Sequence, residues 1–394
     1  MGTNITVAGI DISRSSISVC ILSEIPPDLK RFKQGFKKLE FAADREGITQ
    51  LLALPFDGAL MEPTGAHYSK IWAHHLIQAG REVRWVGHRE IANYRESWKV
   101  FNKSDRLDAI ALACYGLERW NRPQFFIRGV SSRLRDLVHQ LESLTRIRNP
   151  IVARLRLQLA HECPEIAQKQ INRNWLTQNP PGVLRAMIGN PSAKWEKILS
   201  TSIGTGISSF SQGLAHQLIL VEEREFLIEQ EIAQEMERDE FQPYLQVFDR
   251  YAIGDRTSAA LLGVIYPISQ FLGADGKPII ERIEGSKRYR SLASFKLALG
   301  VGMVQYQSGG TQGEKAGGRS DIRRALWRWC TMAIIIDPNL ELPTIQKLRH
   351  YYENGTDAIV KGELKHLDPG KGDQRSMRVI RRMITMLFHD LITL

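Results

Sequence analysis

Residues 5–11 read Ile-Thr-Val-Ala-Gly-Ile-Asp, a short apolar run that ends on a carboxylate. The β-branched residues of this run predict a buried strand. A second apolar run at 17–22 follows a serine-rich turn at 13–16, so the two strands are expected to form a hairpin. Further strands are predicted near residues 41–42, 58–62 and 82–86, with helices at 47–54 and 67–79. Strands first, and then strands that alternate with helices, indicate an α/β domain.

Four acidic residues occupy positions from which their carboxylates can converge. Asp11 ends the first strand, and Glu62 ends a later one. Asp105 and Asp108 lie three residues apart in a helix that Ser104 can cap, so they share one helical face. Carboxylates suit Mg²⁺ or Mn²⁺, and two such ions can bind the attacking and leaving oxygens of a phosphoryl transfer. Any one of these acids alone would more commonly be an ordinary surface residue, so the interpretation depends on all four together.

The net charge and the cysteine content restrict the class of protein. Lysine and arginine number 53 against 43 aspartates and glutamates, which gives +10 over 394 residues. This balance favours polyanionic partners. The four cysteines are widely spaced and form no Cys-x-x-Cys, which argues against zinc and predicts reduced thiols. We expect a cytoplasmic protein, because no signal peptide is evident and the apolar stretches are too short or too interrupted to span a bilayer.

Two long helical segments of opposite charge are predicted in the middle of the chain. Residues 133–156 carry leucines at helical spacing and an excess of arginine, whereas residues 214–237 carry an apolar stripe and seven glutamates. Helices of this kind can pair antiparallel within one chain or between subunits. The predicted domains are 1–128 (α/β), 129–245 (helical, with coiled-coil character) and 246–394 (mainly helical).

Ser308 stands in the isolated segment Tyr306-Gln307-Ser308-Gly309, ahead of a predicted glycine- and lysine-rich loop at 313–319. A serine hydroxyl is a weak nucleophile unless a base, a metal or positive surroundings activate it. Gly309 would let a substrate backbone approach closely. From the residues alone, a serine in a glycine-rich turn is the simpler interpretation.

The candidate nucleic-acid contacts are basic residues and one glycine turn. The arginines of 133–156 can contact a phosphate backbone, with a solvated helix face as an equal alternative. The turn that precedes residue 255 can present backbone N–H groups to phosphates. The candidates are Arg133, Arg135, Arg146, Arg148, Gly254, Lys315, Arg319, Arg323 and Arg324.

Four motifs together resemble the DEDD-type serine transposases of insertion sequences, which are related to the Piv DNA invertases. They are GIDIS at 9–13, MEPTG at 61–65, NKSDRLDAIALA at 102–113 and the YQSG…IRRALW arrangement at 306–327. The resemblance implies a RuvC-like, ribonuclease-H-type N-terminal domain and a mainly helical C-terminal transposase domain that carries a catalytic serine. In this sequence the implied catalytic residues are Asp11, Glu62, Asp105, Asp108 and Ser308, the first four as ligands of Mg²⁺ or Mn²⁺.

The resemblance also implies partners. Members cut DNA by serine attack, act as dimers or tetramers, and use a structured non-coding bridge RNA whose loops pair with donor and target double-stranded DNA. Base pairing would then supply the choice of sequence. Such a protein is expected in a prokaryotic cytoplasm, associated with the nucleoid when active. The chain departs from the family at Tyr251-Ala252-Ile253-Gly254, where members have Pro-Gly-Ile-Gly, and in a longer section at 160–213.

Three other functions remain open at this point. The first is a RuvC-type, metal-dependent junction nuclease in which Ser308 is structural. The second is a non-catalytic RNA- or DNA-binding protein. The third, a sugar-kinase-like ATPase, is disfavoured because the first half of the chain has no convincing glycine-rich phosphate loop.

Overall fold

A computed structural model describes residues 5–63, 68–98, 104–122, 125–127, 133–273, 275–283, 286–308, 311–360, 363–367 and 373–394. The chain divides into two compact units, Met1–Ser131 and Ser132–Leu394. The predicted division of 129–394 into two further domains stays a prediction.

The first unit is built on a five-stranded sheet with the order β3-β2-β1-β4-β5. The strands are β1 (Val7–Ile12), β2 (Ser16–Leu22), β3 (Leu39–Ala42), β4 (Gly58–Met61) and β5 (Glu82–Trp85). β1, β2 and β3 pair antiparallel, whereas β4 runs parallel to β1 and β5 runs parallel to β4. The β1–β2 turn closes where Ser13 N donates to Ser16 O at 2.9 Å. This mixed sheet confirms the α/β class of the first unit and is consistent with a RuvC-like domain.

Five helices accompany the sheet: α1 (Leu29–Gly35), α2 (Arg45–Leu52), α3 (Tyr68–Gln78), α4 (His88–Ser97) and α5 (Asp105–Arg119). Side chains cap three of them. The cap residues Asp28, Asp44 and Ser104 each accept a hydrogen bond from the backbone N–H three residues later, which satisfies one otherwise unpaired donor of the first turn. The Ser104 cap confirms the sequence prediction. The charged stretch at 29–40 contains α1, for which Asp28 supplies a start signal.

The two faces of the sheet have different partners, because side chains alternate along each strand. Ala8 and Ile10 face a core that includes Trp72 and Leu76 of α3. Val7 lies on the opposite face, in the cluster with Leu112 and other side chains of α5.

α5 packs closely against that second face because Gly9 has no side chain. A Cβ at Gly9 would lie 2.2 Å from both Ala109 O and Ala113 N. The glycine therefore lets the helix backbone rest almost directly on β1.

In the second unit, α6 (Arg133–Glu162) and α10 (Ser209–Met236) are the two long helices. The start of α6 meets the end of α10, where Arg133 Nη2 lies 3.1 Å from Glu231 Oε2. At the other end, Ser208 Oγ donates to Glu162 Oε1 at 2.6 Å. The basic helix and the acidic helix therefore pair antiparallel within one chain. Along the chain, α6 is followed by α7 (Pro164–Ala167), α8 (Gly182–Met187) and α9 (Ala193–Ser200) before α10 begins.

The rest of the second unit is mainly helical with three two-stranded hairpins, as far as the structure describes it. The helices are α11 (Gln242–Asp249), α12 (Asp255–Ile265), α13 (Arg290–Ala298), α14 (Ser320–Trp329), α15 (Pro343–Asn354) and α16 (Asp373–Leu391). A 3₁₀ turn spans Ile268–Phe271, and a π-helical segment, Cys330–Ile336, continues α14. The hairpins are β6 (Ile280–Ile283) with β7 (Ser286–Tyr289), β8 (Met303–Ser308) with β9 (Thr311–Ala316), and β10 (Thr356–Val360) with β11 (Glu363–Leu367).

The core of this unit forms around α16, whose Val379, Met383 and Leu387 are fully buried. Leu134 of α6 and Ile232 of α10 belong to the same cluster. The predicted loop at 313–319 is wrong in its first half, because residues 313–316 pair with β8. Their partners are residues 303–306, so the pairing was set by a segment outside the glycine-rich stretch.

Candidate active site

Two of the four candidate acids lie side by side at one edge of the sheet. β1 and β4 are parallel, and their last paired residues are Ile10 and Met61. Asp11 and Glu62 follow these residues directly, so both stand at the carboxyl edge of neighbouring strands. Strand alternation puts Asp11 on the same face as Gly9. That is the face on which α5 packs.

The first turn of α5 is brought to the same edge. A Cβ at Gly116 would meet Val7 Cγ1 at 2.8 Å, whereas Ala109 and Ala113 contact Gly9. α5 therefore runs antiparallel to β1, and each step toward its N-terminus moves toward the carboxyl end of the strand. The first turn of α5 lies one helical turn before Ala109, about 6 Å further toward the carboxyl end of β1. This is close to the length of the two strand residues that lead from Gly9 to Asp11.

The predicted pair on α5 lies in this turn, but in two different environments. Asp105 is exposed, and Asp108 is 5% exposed. Asp108 forms an ion pair with Arg95, which is also buried. Unlike the exposed Asp105, Asp108 therefore takes part in the packing of the first unit.

α4 supplies two side chains that contact the candidate acids and that the sequence reasoning missed. Arg95 pairs with Asp108, and His88 Nδ1 lies 3.0 Å from Glu62 Oε2. The two residues are seven positions apart, about two turns, and so occupy one face of α4. The only sequence signal for this role was the i, i+7 spacing of a histidine and an arginine.

The donor chemistry of this edge fits a hard divalent cation, since all four candidate ligands are carboxylates. Within the described residues, however, no three side chains of His, Cys, Asp or Glu form a group that could hold a metal ion. The four cysteines are free and buried. Burial raises the pKa of Cys20 and of Cys114 to about 12, so these thiols stay protonated at neutral pH.

Ser308 lies in the second unit, at the end of strand β8. It is the last paired residue of the β8–β9 hairpin, opposite Thr311. Gly309 and Gly310 of the same motif lie outside the described residues. Lys315 is in β9, where it pairs with Val304. The described part of the serine motif, residues 306–308, is thus the end of strand β8.

Several of the predicted basic contacts are already paired with acids. Arg148 Nη1 lies 2.7 Å from the buried Oε2 of Glu225. Arg319 is held by Asp321 in its own turn, with Nε 3.1 Å from Oδ2. Burial and the nearby Arg319 lower the pKa of Arg135. Arg148 and Arg319 therefore have structural partners, as does the exposed Arg133 with Glu231.

A cavity of about 1140 Å³ brings other predicted residues together. Arg146 of α6, Gly254 at the start of α12 and Arg324 of α14 all line it. Arg323 of α14 is not among its lining residues. A Cβ at Gly254 would meet no atom within 4 Å, so this turn is open toward the cavity.

The same cavity is lined by residues that the sequence reasoning did not assign to nucleic-acid contact. They are Arg256, Arg328 and Trp175. Among the described residues, no helix is long and apolar enough to cross a membrane.

The first unit is thus a mixed α/β domain with candidate acids at one edge of its sheet, and the second unit is mainly helical. Residues 8–164 match the model of a transposase family, the DEDD transposases of the IS110 type. The matched segment contains all four candidate acids. No curated protein matches the chain. The match supports an insertion-sequence transposase of this type, an enzyme that cleaves and transfers DNA strands.

Proposed function

We propose that the chain is a DNA transposase or site-specific recombinase with a serine nucleophile. Asp11, Glu62, Asp105 and Asp108 would hold two divalent ions, and Ser308 would attack the DNA. The observation that carries the proposal is the meeting of two strand-end acids with the first turn of α5 at a single sheet edge. That edge lies within the segment that matches the transposase family.

In the proposed reaction, Ser308 Oγ attacks a DNA phosphate. An Oγ–P bond forms while the bond between phosphorus and one sugar oxygen breaks. The serine gives up its proton, the leaving sugar oxygen gains one, and the DNA end stays joined to the protein. Attack by a sugar hydroxyl of another strand reverses these steps, which joins the strands and restores the serine. Mg²⁺ or Mn²⁺ would neutralise the charge that develops on the phosphate oxygens.

In this proposal, side chains of the protein itself compete with the metal ions for the carboxylates. Arg95 balances the charge of Asp108, and His88 contacts Glu62. Carboxylates at one edge would otherwise repel one another, because like charges a few ångströms apart are unfavourable. Binding of a divalent ion at Asp108 therefore competes with the Arg95 ion pair.

We extend the proposal to the partners of this enzyme. Donor and target duplex DNA would be its substrates, and a structured non-coding bridge RNA would choose the sequence. The net charge of +10 and the arginines around the cavity support polyanionic partners. A dimer or tetramer, acting in a prokaryotic cytoplasm, follows from the resemblance of the motifs.

The test looks for a covalent protein–DNA adduct. Purified protein is incubated with Mg²⁺, RNA transcribed from the DNA that flanks its gene, and labelled element-junction DNA, and is then denatured. We expect an adduct that maps to Ser308 by mass spectrometry and requires both Mg²⁺ and RNA. Ser308→Ala should form no adduct and join no strands, whereas Ser286→Ala, at an exposed position of the same unit, should retain both.

One observation favours a second candidate, a RuvC-type nuclease that cuts DNA junctions by hydrolysis. All four acids lie in the first unit, whereas Ser308 lies in the second. A nuclease would need only the acidic edge. Free cleaved ends, undiminished in Ser308→Ala and without an adduct in the wild type, would establish the nuclease and overturn the serine mechanism.

A further inference from the structure

The cavity of the second unit is large enough for a nucleotide. It lies among α6, α12 and α14, with Trp175 from the segment between α7 and α8. Its volume of about 1140 Å³ exceeds the roughly 300–1,000 Å³ of a typical small-ligand pocket. A base together with its flanking phosphates would fit within it.

The charge of the lining selects for an anion. Four arginines line the cavity: Arg146, Arg256, Arg324 and Arg328. Only two acids do so, Glu142 and Asp321, and Asp321 is held by Arg319. Among the described residues, Arg146, Arg324 and Arg328 have no ion-pair partner. Three guanidinium groups are therefore available for phosphate oxygens, which they bind strongly through paired N–H donors.

Arg256 gives the cavity a fixed cation. Its Nη2 donates to Thr145 Oγ1 at 2.8 Å, and Thr145 Oγ1 in turn donates to the buried Oε1 of Glu225 at 3.1 Å. Burial and the nearby Arg148 lower the pKa of Arg256. An anion close to this guanidinium would offset the cost of burying its charge.

Three tryptophans, Trp175, Trp327 and Trp329, give the cavity an aromatic side. Trp327 is half-buried and packs on the core of the unit. The indole N–H of Trp329 is satisfied by Tyr251 O at 2.8 Å. By contrast, Trp175 Nε1 is buried without a hydrogen-bond partner among the described residues. Because Nε1 itself is buried, Trp175 contributes ring surface to the cavity and not this donor.

We propose that this cavity binds an unpaired nucleotide of a structured RNA. The base lies against Trp327, and its phosphates contact Arg324 and Arg328. RNA is favoured over DNA because loops and bulges present unstacked bases, whereas a duplex must first be opened at a cost of a few kcal/mol. The inference rests on the proposed function only in taking an RNA as the partner, since the charge and the aromatic side are features of the cavity itself.

The test compares two double variants of the full-length protein that carry the same change of charge. Arg324→Gln with Arg328→Gln alters the cavity, and Arg282→Gln with Arg288→Gln alters exposed positions of the β6–β7 hairpin. The probe is a fluorescent RNA hairpin with an eight-uridine loop, read by anisotropy without Mg²⁺. We expect the cavity pair to weaken binding at least tenfold and the control pair less than threefold. Circular dichroism checks that each variant is folded.

A second pair of variants tests stacking. Trp327→Leu should weaken hairpin binding about tenfold, because base–aromatic stacking contributes roughly 1–3 kcal/mol. Trp327→Phe, which keeps an aromatic face, should stay within threefold of the wild type.

Three results would overturn the inference. If the two double variants lost the same affinity for the hairpin, the RNA would be held by diffuse charge attraction only. If the cavity pair weakened binding of a fully paired RNA duplex as much as binding of the hairpin, the ligand would not be an unpaired nucleotide. If the protein bound the matching DNA hairpin as tightly as the RNA hairpin, RNA would not be the preferred ligand. Strand transfer plays no part in this assay, so a missing Ser308 adduct would refute the recombinase and leave the cavity result standing.

Discussion

Replacing Asp108 by asparagine should destabilise the first unit far more than the same change at Asp105. Asp108 is 5% exposed and Arg95 is 9% exposed, so their ion pair lies inside the fold. Removing one partner of a buried pair leaves an uncompensated charge, which costs about 3–5 kcal/mol. Asparagine keeps the shape and one acceptor oxygen, so about 3 kcal/mol is expected. Asp105 is exposed at the helix start, where loss of its charge costs less than about 1 kcal/mol.

Differential scanning calorimetry of the full-length chain measures this contrast. For a unit of the size of Met1–Ser131, about 3 kcal/mol lowers Tm by about 10 °C. Hydrogen exchange should localise the loss to α4 and α5. Both variants are expected to lose DNA cleavage, so stability and not activity separates them.

A double-mutant cycle supplies the control. Arg95→Met combined with Asp108→Asn removes both charges and should recover most of the stability lost in Asp108→Asn alone. Equal falls in Tm for Asp105→Asn and Asp108→Asn would contradict the stabilising role of the buried Asp108–Arg95 pair. So would simple additivity of the effects of Arg95→Met and Asp108→Asn.

Two further perturbations test the packing of each unit. Gly9→Ala should destabilise the first unit by about 3 kcal/mol or more, because its Cβ would meet the α5 backbone at 2.2 Å. Gly35→Ala is the control. It should be neutral or slightly stabilising in the same thermal melt, because no atom lies within 4 Å of the new Cβ. In the second unit, burial raises the pKa of Glu222 from 4.5 to about 7. The contribution of this residue to the free energy of unfolding is therefore fully present below pH 4.5 and is lost as the pH rises through 7. The free energy of unfolding should fall by about 3 kcal/mol across this range. Glu222→Gln should flatten that dependence in denaturant titrations at pH 5 and pH 8, and an unchanged slope would contradict the assignment.

Much of the local structure was predictable from the sequence. The apolar run that ends at Asp11 is a strand, Ser104 caps α5, and the arginine-rich and glutamate-rich segments are long helices. Each of these features depends on residues within one or two turns of one another. Strand alternation and helical periodicity report the local backbone, which is why they were reliable here.

The sequence by itself therefore determined the α/β class of the first unit and the positions of four acids at strand ends and in one helical turn. Only the tertiary structure decided which charges meet. Arg95 neutralises Asp108 because α4 packs beside α5, and Gly9 matters because α5 rests on β1. The arginine-lined cavity likewise joins residues from α6, α12 and α14 that are far apart in the chain. Periodicity gives no information on such contacts, because they form only when separate elements bury their apolar faces against one another.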